Sequence, residues 1–231
     1  MIDNLDSLGS WHNGLMDFIY QNMVDSENEF TPCDTTAFRN NYNAWLTEWY
    51  EQKAVQTEGD FFQYYGEDLD GQTLQESSAL SSDANEYIKL LEGYIEDFDD
   101  LGLSGFQSSC DALIADCVQM LSDDTEKVII GTTIATAKHS AEYWYNYYSN
   151  WENLLHSYSC SPASYSARID PRAKRVLQHD AAGALTGALS GLAGGPVTAF
   201  VGGLLGGGTK SVIHCFCEGF GITHITDWFG L

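Results

Sequence analysis

The residue types best suited to metal chemistry lie near the end of the chain, in His214-Cys215-Phe216-Cys217 and at His224. Thiolate and imidazole groups are the ligands that zinc and other soft metal ions prefer. The Cys-x-Cys spacing is less typical of zinc sites than Cys-x-x-Cys, and small buried residues at the end of an apolar helix produce the same pattern. We therefore predict that the chain holds no metal ion and no cofactor.

The acidic run Glu67-Asp68-Leu69-Asp70-Gly71 has the composition of a calcium-binding loop. In an EF-hand loop the sixth position is glycine, and carboxylates at the first and twelfth positions bind the cation. With Gly71 in the sixth position, the first and twelfth are Gly66 and Ser77, and neither carries a carboxylate. The run is therefore not predicted to bind calcium.

The residues of a hydrolytic site occur together in His139-Ser140-Ala141-Glu142, which supplies a base, a hydroxyl and a carboxylate. Adjacent positions on a helix point in different directions, so these side chains cannot converge on one substrate atom. The chain also has no nucleophile elbow, phosphate loop, dinucleotide fingerprint or His-Glu-x-x-His motif. We predict no catalytic residue and no enzymatic activity.

Charge is distributed unevenly along this chain of formal net charge −23. Residues 1–160 hold 29 of the 33 acidic residues and 5 of the 10 basic ones, whereas residues 161–231 are nearly neutral. Such an excess of negative charge repels nucleic-acid phosphates, so we predict no nucleic-acid partner.

Glycine recurs at every fourth position in the segment 181–209, which has no ionisable side chain between Asp180 and Lys210. On a helix this spacing creates one bare face, where another backbone can approach closely. Each glycine costs about 0.5–1 kcal/mol relative to alanine in a helix, so a packing partner or a membrane must offset the cost. The residues predicted to form this face in helix packing or membrane contact are Gly183, Gly187, Gly191, Gly195, Gly203 and Gly207.

The triplet Gly194-Gly195-Pro196 interrupts the segment with the order of a helix stop followed by a helix start. It favours a helical hairpin, with arms at about 180–193 and 197–213, over one kinked helix. Each arm is short for crossing a bilayer. A hairpin buried permanently in a helical bundle, with its glycines serving close helix packing, is the alternative.

Five amphipathic periods precede the glycine segment, and no strand alternation of useful length appears. The predicted helices cover about 5–23, 34–54, 74–99, 104–121 and 124–157. Gly102 is expected to close the third, and Cys110 and Cys117 to lie on the buried stripe of the fourth. Asp123 and Glu126 have the spacing of a capping box at the start of the fifth.

The predicted fold class is all-α, an acidic multi-helix bundle followed by a glycine-rich helical hairpin. We divide the chain into an acidic aromatic-rich helical domain, a basic linker, and a glycine-zipper hairpin with its C-terminal tail, at 1–160, 161–179 and 180–231. The linker region carries a basic patch of Arg168, Arg172, Lys174 and Arg175. These side chains either contact anionic lipid head groups or pair with the acidic helices.

Two sequence runs resemble a known group of proteins. Asp180-Ala181-Ala182-Gly183-Ala184 and the repeats after it are similar to the glycine-zipper, bacteriocin-like segments at the C-terminal end of many uncharacterised bacterial proteins. The run Ser140-Ala141-Glu142-Tyr143-Trp144, followed by the basic linker, is also similar to them. This resemblance implies membrane association or antibacterial action. An acidic bundle that encloses an uncharged hairpin also resembles the arrangement of pore-forming colicin domains.

The functional prediction is a membrane-associating helical protein of bacterial type, bacteriocin-like or self-assembling, whose partner is membrane lipid or a second copy bound through the glycine row. The alternative is a soluble secreted or surface module in which the hairpin is core and the aromatic acidic domain binds a protein or glycan. The run from Met1 to Asp6 lacks the basic and apolar parts of a secretory signal. The sequence does not determine the location, and a secreted or membrane-associated one is favoured.

Overall fold

The structure is a computed structural model that describes residues 5–26, 35–53, 74–158 and 171–192, together with Ala199, Gly202, Gly203, Gly206 and Gly207. The described part is all-α, as predicted, and contains no strand. Its six helices are α1 (Leu5–Ser26), α2 (Thr35–Gln52), α3 (Ser82–Glu96), α4 (Phe98–Met120), α5 (Asp124–Tyr158) and α6 (Pro171–Ser190).

Helix α5 is the centre of the bundle, because α1, α3, α4 and α6 all pack against it. Every residue from 128 to 137 is buried. A helix that is buried on all sides must be enclosed by other helices, and this stretch is accordingly free of charge. Its composition is mixed, since Gly131 and three threonines lie among the aliphatic residues.

One hydrophobic core joins α3, α4, α5 and α6. Leu91 of α3, Phe106 of α4 and Ile130 of α5 are buried in the same cluster as Leu177 and Leu185 of α6. The acidic helices and the first arm of the glycine hairpin therefore share a core. A substitution in either part is expected to affect the stability of both.

The aromatic second half of α5 packs against α1. Trp144 and Trp151 are almost completely buried, and the indole N–H of Trp151 donates to the Tyr143 hydroxyl at 3.0 Å. The ring of Tyr20 on α1 meets Trp151 with 5.3 Å between centroids. Half of the six aromatic side chains between residues 143 and 151 are thus buried, whereas Tyr145 and Tyr147 are exposed.

Only one half of the predicted capping box at the start of α5 forms. The carboxylate of Asp123 accepts hydrogen bonds from the backbone N–H groups of Thr125 and Glu126, at 2.7 and 3.0 Å. These bonds, the one from Glu126 first, lower the pKa of Asp123. The Glu126 carboxylate instead accepts from the N–H and hydroxyl of Ser81, which caps α3. The Glu126 side chain therefore links the start of α5 to the start of α3 and does not cap its own helix.

Helix α3 begins later than the predicted residue 74. Residues 74–81 are not helical, because the side chain of Asn85 bonds both the N–H and the carbonyl of Ser77, at 2.8 and 3.0 Å. Ser81 then caps the helix by accepting from the Ala84 N–H. Serine and asparagine side chains compete with helical backbone bonds in this way, and the apolar periodicity alone does not reveal it.

The helix break predicted at Gly102 is present, but it is a kink inside α4 and does not close α3. Helix α3 ends at Glu96, Asp97 forms the junction, and Gly102 marks a kink with φ 63° and ψ 172°. This backbone conformation is accessible almost only to glycine.

We expect Gly102→Ala to lower the free energy of unfolding by about 1–3 kcal/mol, because alanine is strained at this φ and ψ. Thermal melting measures the effect. Gly93→Ala on α3 is the matched control, because a Cβ there meets nothing within 4 Å and its φ is not positive. Equal melting temperatures for the two variants would contradict the kink.

Cys110 and Cys117 lie on the buried face of α4, as predicted, together with Phe106 and Leu113. Burial raises the pKa of both thiols to about 12. The neutral thiol is a poor nucleophile, so native protein should leave both residues unmodified by a thiol reagent from pH 7 to 9. Mass spectrometry after labelling, with and without denaturant, identifies the sites. Rapid native labelling of either residue would place it outside the core.

Candidate functional site

The first arm of the glycine segment is the second half of α6. This helix begins at Pro171 and therefore includes residues 171–179, which were predicted as part of the linker 161–179. Proline is favoured in the first turn of a helix, because it has no N–H that would need an intrahelical partner there. Arg172, Lys174 and Arg175 thus belong to the same helix as the first glycines, and this helix packs on α3 and α5.

The two arms contact each other through their backbones along a line that we call the glycine seam, formed by Gly183 and Gly187 on α6 and by Gly202 and Gly206. A Cβ on Gly187 would overlap the Gly202 carbonyl and lie 3.1 Å from the Gly206 Cα. A Cβ on Gly206 would overlap the Gly183 carbonyl. Gly183 faces Gly206 and Gly187 faces Gly202, so the arms run antiparallel. Only glycine fits this close approach.

The neighbouring side of the second arm packs on α5. A Cβ on Gly203 would lie 2.6 Å from the Thr132 methyl group, and one on Gly207 would lie 2.9 Å from the Thr136 methyl group. Gly203 and Gly207 are both buried. The second arm is thus held between α6 and α5.

The structure separates glycines that the spacing had placed in one row. Gly183 and Gly187 face the seam, whereas Gly203 and Gly207 face the bundle. The seam partners are Gly202 and Gly206, each one position earlier. The prediction continued the four-residue spacing of the first arm through the turn into the second arm. A turn reverses the direction of the chain, so residues that continue this spacing after it need not lie on the same face. Gly191 follows α6, and its N–H contacts the Gly187 carbonyl at 3.2 Å. Gly195 lies outside the described residues.

The side chain of Asp180 is fully buried just before the glycine seam. Its Oδ2 accepts hydrogen bonds from the Ser140 hydroxyl at 2.5 Å and from the Trp144 indole N–H at 3.0 Å. The same oxygen lies 3.4 Å from Nε2 of His12. The Asp180 cluster, as we name these four residues, joins α1, α5 and α6 at a single carboxylate.

One face of α5 serves both the glycine seam and the Asp180 cluster. Thr132, Thr136, Ser140 and Trp144 are spaced by four and therefore share this face. The two threonines contact the second arm, and the serine and tryptophan donate to Asp180. Small and polar residues of α5 thus contact the hairpin in addition to the apolar residues of the shared core.

Helix α1 covers the Asp180 cluster closely. A Cβ on Gly9 would overlap the ring of His139, so only glycine lets α1 approach α5 at this point. The other ring nitrogen of His12, Nδ1, lies 3.0 Å from the Asn13 side-chain oxygen. His12 and His179, which precedes Asp180 in the sequence, are both buried, at 3% and 7% exposure.

The Asp180 cluster contains serine, histidine and aspartate, but not in a nucleophilic arrangement. The Ser140 hydroxyl donates to the carboxylate, whereas a catalytic serine needs a histidine base as its hydrogen-bond acceptor. His12, Ser140, Trp144 and Asp180 are also buried from solvent. The geometry is that of a structural polar cluster.

The basic patch is only partly described. Lys174 donates to the backbone carbonyl of Glu96 at the C-terminal end of α3, where the helix dipole favours a cation. Arg175 is exposed, and Arg172 lies in α6. Arg168 lies outside the described residues. Lys174 thus binds the C-terminal end of α3.

Two predicted features can be compared with the structure only in part. In the described ranges, no three side chains of the ligand types form a metal-binding group. The residues 214–217, His224 and the acidic run 67–71 lie outside these ranges. No helix among the described residues combines the length and apolarity that crossing a bilayer requires.

Sequence reasoning missed the Asp180 cluster and the seam partners Gly202 and Gly206. A usable signal was present for the cluster, because threonine and serine recur at 132, 136 and 140, on one face of α5. Such a polar stripe on a buried helix requires partners on another element.

Comparison of the chain with models of known families, with curated proteins and with solved structures finds no match in any of the three.

The close contact of the seam makes a direct prediction. Gly187→Ala should lower the free energy of unfolding by roughly 1–3 kcal/mol, because the methyl group overlaps a backbone carbonyl that cannot move away without separating the arms. Gly93→Ala, the same change on an open helix surface, should raise it by about 0.5–1 kcal/mol. Urea denaturation measures both. Similar stabilities for the two variants would show that the arms are not in contact.

Proposed function

We propose that this chain is a membrane-associating helical protein that keeps its glycine hairpin folded against α5 and transfers it to a lipid bilayer. The observation that carries the proposal is the glycine seam, in which the backbones of two arms meet without intervening side chains. Helices in lipid associate through the same kind of contact, because small residues allow close packing where no hydrophobic effect draws helices together.

The hairpin does not depend on the bundle for its internal contacts. Gly183 and Gly187 meet Gly206 and Gly202 directly, so the two arms can remain paired when they leave α5. The segment 181–209 has no charged side chain whose transfer into lipid would be costly.

The hairpin is also weakly anchored in the apolar core. Among its described residues, Leu185 is the one large side chain that is fully buried in the core, and Leu189 and Leu192 pack against it partly buried. The other buried members of the core are Ala181, Ala188 and Ala199. Because hydrophobic stabilisation scales with the apolar area removed from water, alanines contribute little to holding the arms in place. Separation of the hairpin therefore costs less than separation of a leucine-rich helix.

A second candidate is a soluble binding module in which the hairpin stays in the core. The burial of Asp180 among donors from α5 favours it, since this bonding fastens α6 to the bundle. In that case the exposed part of the aromatic helix is the binding surface, and Tyr145 and Tyr147, at 53% and 46% exposure, are its centre. Such half-exposed tyrosines are typical of protein and glycan contacts.

Vesicle leakage separates the two functions. Wild type is expected to release dye from anionic vesicles, more at pH 5 than at pH 7, because protonation reduces the negative charge that repels the chain from the lipid surface. Gly187→Leu should abolish release, because its side chain separates the arms, and should cost roughly 1–3 kcal/mol or more of stability.

The matched control is Gly93→Leu, which adds the same side chain to the surface of α3, where a Cβ meets nothing within 4 Å. It should release dye like the wild type. If wild type releases no dye at either pH and Gly187→Leu merely melts at a lower temperature, the hairpin is ordinary core and the soluble module is the correct function.

A further inference from the structure

Two tryptophans, one on α1 and one on α2, face the same lysine ammonium. Nζ of Lys53 lies 4.6 Å from the ring centroid of Trp49 and 5.6 Å from that of Trp11. Both distances are within the range of about 6 Å over which the negative face of an indole ring attracts a cation. Trp11 and Trp49 are half-buried, whereas the remaining described tryptophans are buried. The pair, which we call the tryptophan clamp, therefore reaches solvent around a bound cation.

Contacts between the two helices hold the rings of the clamp. A Cβ on Gly14 would lie 3.0 Å from Cη2 of Trp49, so the glycine lets this ring lie against α1. Phe18 packs on the same ring, with 5.3 Å between centroids. Trp11, Gly14 and Phe18 are spaced by three and four, which places them on one face of α1. Helix packing, and not the lysine alone, thus determines the position of the Trp49 ring.

The clamp contacts the charge of Lys53 and not its N–H groups. Among the residues that the structure describes, no oxygen accepts a hydrogen bond from Lys53 Nζ. A lysine ammonium has three donors and is strongly hydrated, so two ring faces satisfy it incompletely. A quaternary ammonium has the same charge, but it carries methyl groups in place of N–H groups. It therefore loses no hydrogen bond on entering the clamp, and its methyl groups bury apolar area against the indoles.

We propose that the tryptophan clamp is a binding site for a quaternary ammonium group, the trimethylammonium of choline, and that Lys53 occupies the site when no ligand is bound. Helix α2 ends at Gln52, so Lys53 lies just beyond it and its side chain can leave the clamp without a change in either helix. A lipid head group and a free small molecule present the same choline cation. The site belongs to α1 and α2 and is independent of the membrane function proposed for the hairpin.

The charge of the surrounding helices favours a cationic ligand. Helix α1 carries three aspartates and no lysine or arginine, and α2 carries two glutamates and one arginine. The formal net charge of −23 for the chain also raises the concentration of cations near its surface. An anionic ligand of the same size would be repelled, so the charge selects among the molecules that could stack on two indole rings.

Titration of the full chain with choline tests the site, and the indole N–H signals of Trp11 and Trp49 in NMR spectra report binding. Lys53→Ala removes the internal occupant and should bind choline at least about threefold more tightly than wild type. The matched control is Lys89→Ala, which removes the same charge from an exposed group of ion pairs on α3 and should bind choline like wild type.

A neutral ligand separates attraction of the charge from ordinary apolar contact. Dimethylbutanol, the analogue in which a carbon atom replaces the nitrogen of choline, has the same shape and no charge. Lys53→Ala should bind it at least about fivefold more weakly than choline, because the ring faces attract only the cation. Equal affinity for the two ligands, or an absence of choline-induced shifts at both indoles, would overturn the site.

Loss of either ring provides a second test. Adding Trp49→Leu to Lys53→Ala should weaken choline binding at least about fivefold, and adding Trp49→Phe should weaken it less, since phenylalanine is a poorer partner for a cation. Trp11→Leu makes the same test on α1 if the Trp49→Leu chain does not fold. Choline binding that is unchanged by the loss of a ring would show that the clamp is not the site.

Vesicle sedimentation distinguishes the two sources of choline. Stronger retention of Lys53→Ala than of wild type on phosphatidylcholine vesicles, but not on phosphatidylglycerol vesicles, identifies a lipid head group. Binding of free choline without this preference identifies a small molecule, and both results support the site. Dye release from anionic vesicles made without choline lipids tests the hairpin alone. The clamp can therefore fail while the membrane function stands, and the reverse.

Discussion

Two helix backbones in contact leave no room for a side chain, and this constraint organises the C-terminal part of the molecule. Gly187 and Gly202 meet at a distance that excludes even a methyl group. The contact determines the register of the two arms, and the register in turn places Gly203 and Gly207 against the threonines of α5. The glycines that weaken each helix individually are therefore the residues that allow the hairpin to form.

The face of α5 that contacts the hairpin is complementary to it in size and polarity. Small hydroxyl residues stand opposite the glycines, and Ser140 and Trp144 stand opposite the carboxylate of Asp180. A buried carboxylate without donors would be strongly destabilising, so α6 can pack in only one register on α5. We regard the Asp180 cluster as the element that specifies where the hairpin lies, and the apolar core as the element that stabilises the bundle.

The sequence predicted the helices well where the apolar spacing was regular, as in α1, α2 and α5, and it placed Cys110 and Cys117 correctly on the buried face of α4. It failed where side chains bond to the backbone. Asn85 holds residues 74–81 outside α3, and Glu126 bonds to Ser81 of another helix instead of completing its own cap. These errors share a cause, because hydrogen bonds between side chains and distant backbone groups leave no periodic signal.

By itself the sequence determined the all-α class, the buried apolar faces and the presence of bare glycine faces, because all three follow from periodicity within a single helix. Only the tertiary structure decided which glycines meet. Gly183 and Gly187 face Gly206 and Gly202, and not a continuation of their own row, because a turn between two helices does not preserve the spacing. It also decided the partners of Asp180, since His12, Ser140 and Trp144 reach that carboxylate from helices remote in sequence. Local spacing sets the face that a side chain occupies, and the packing of whole helices decides what lies opposite it.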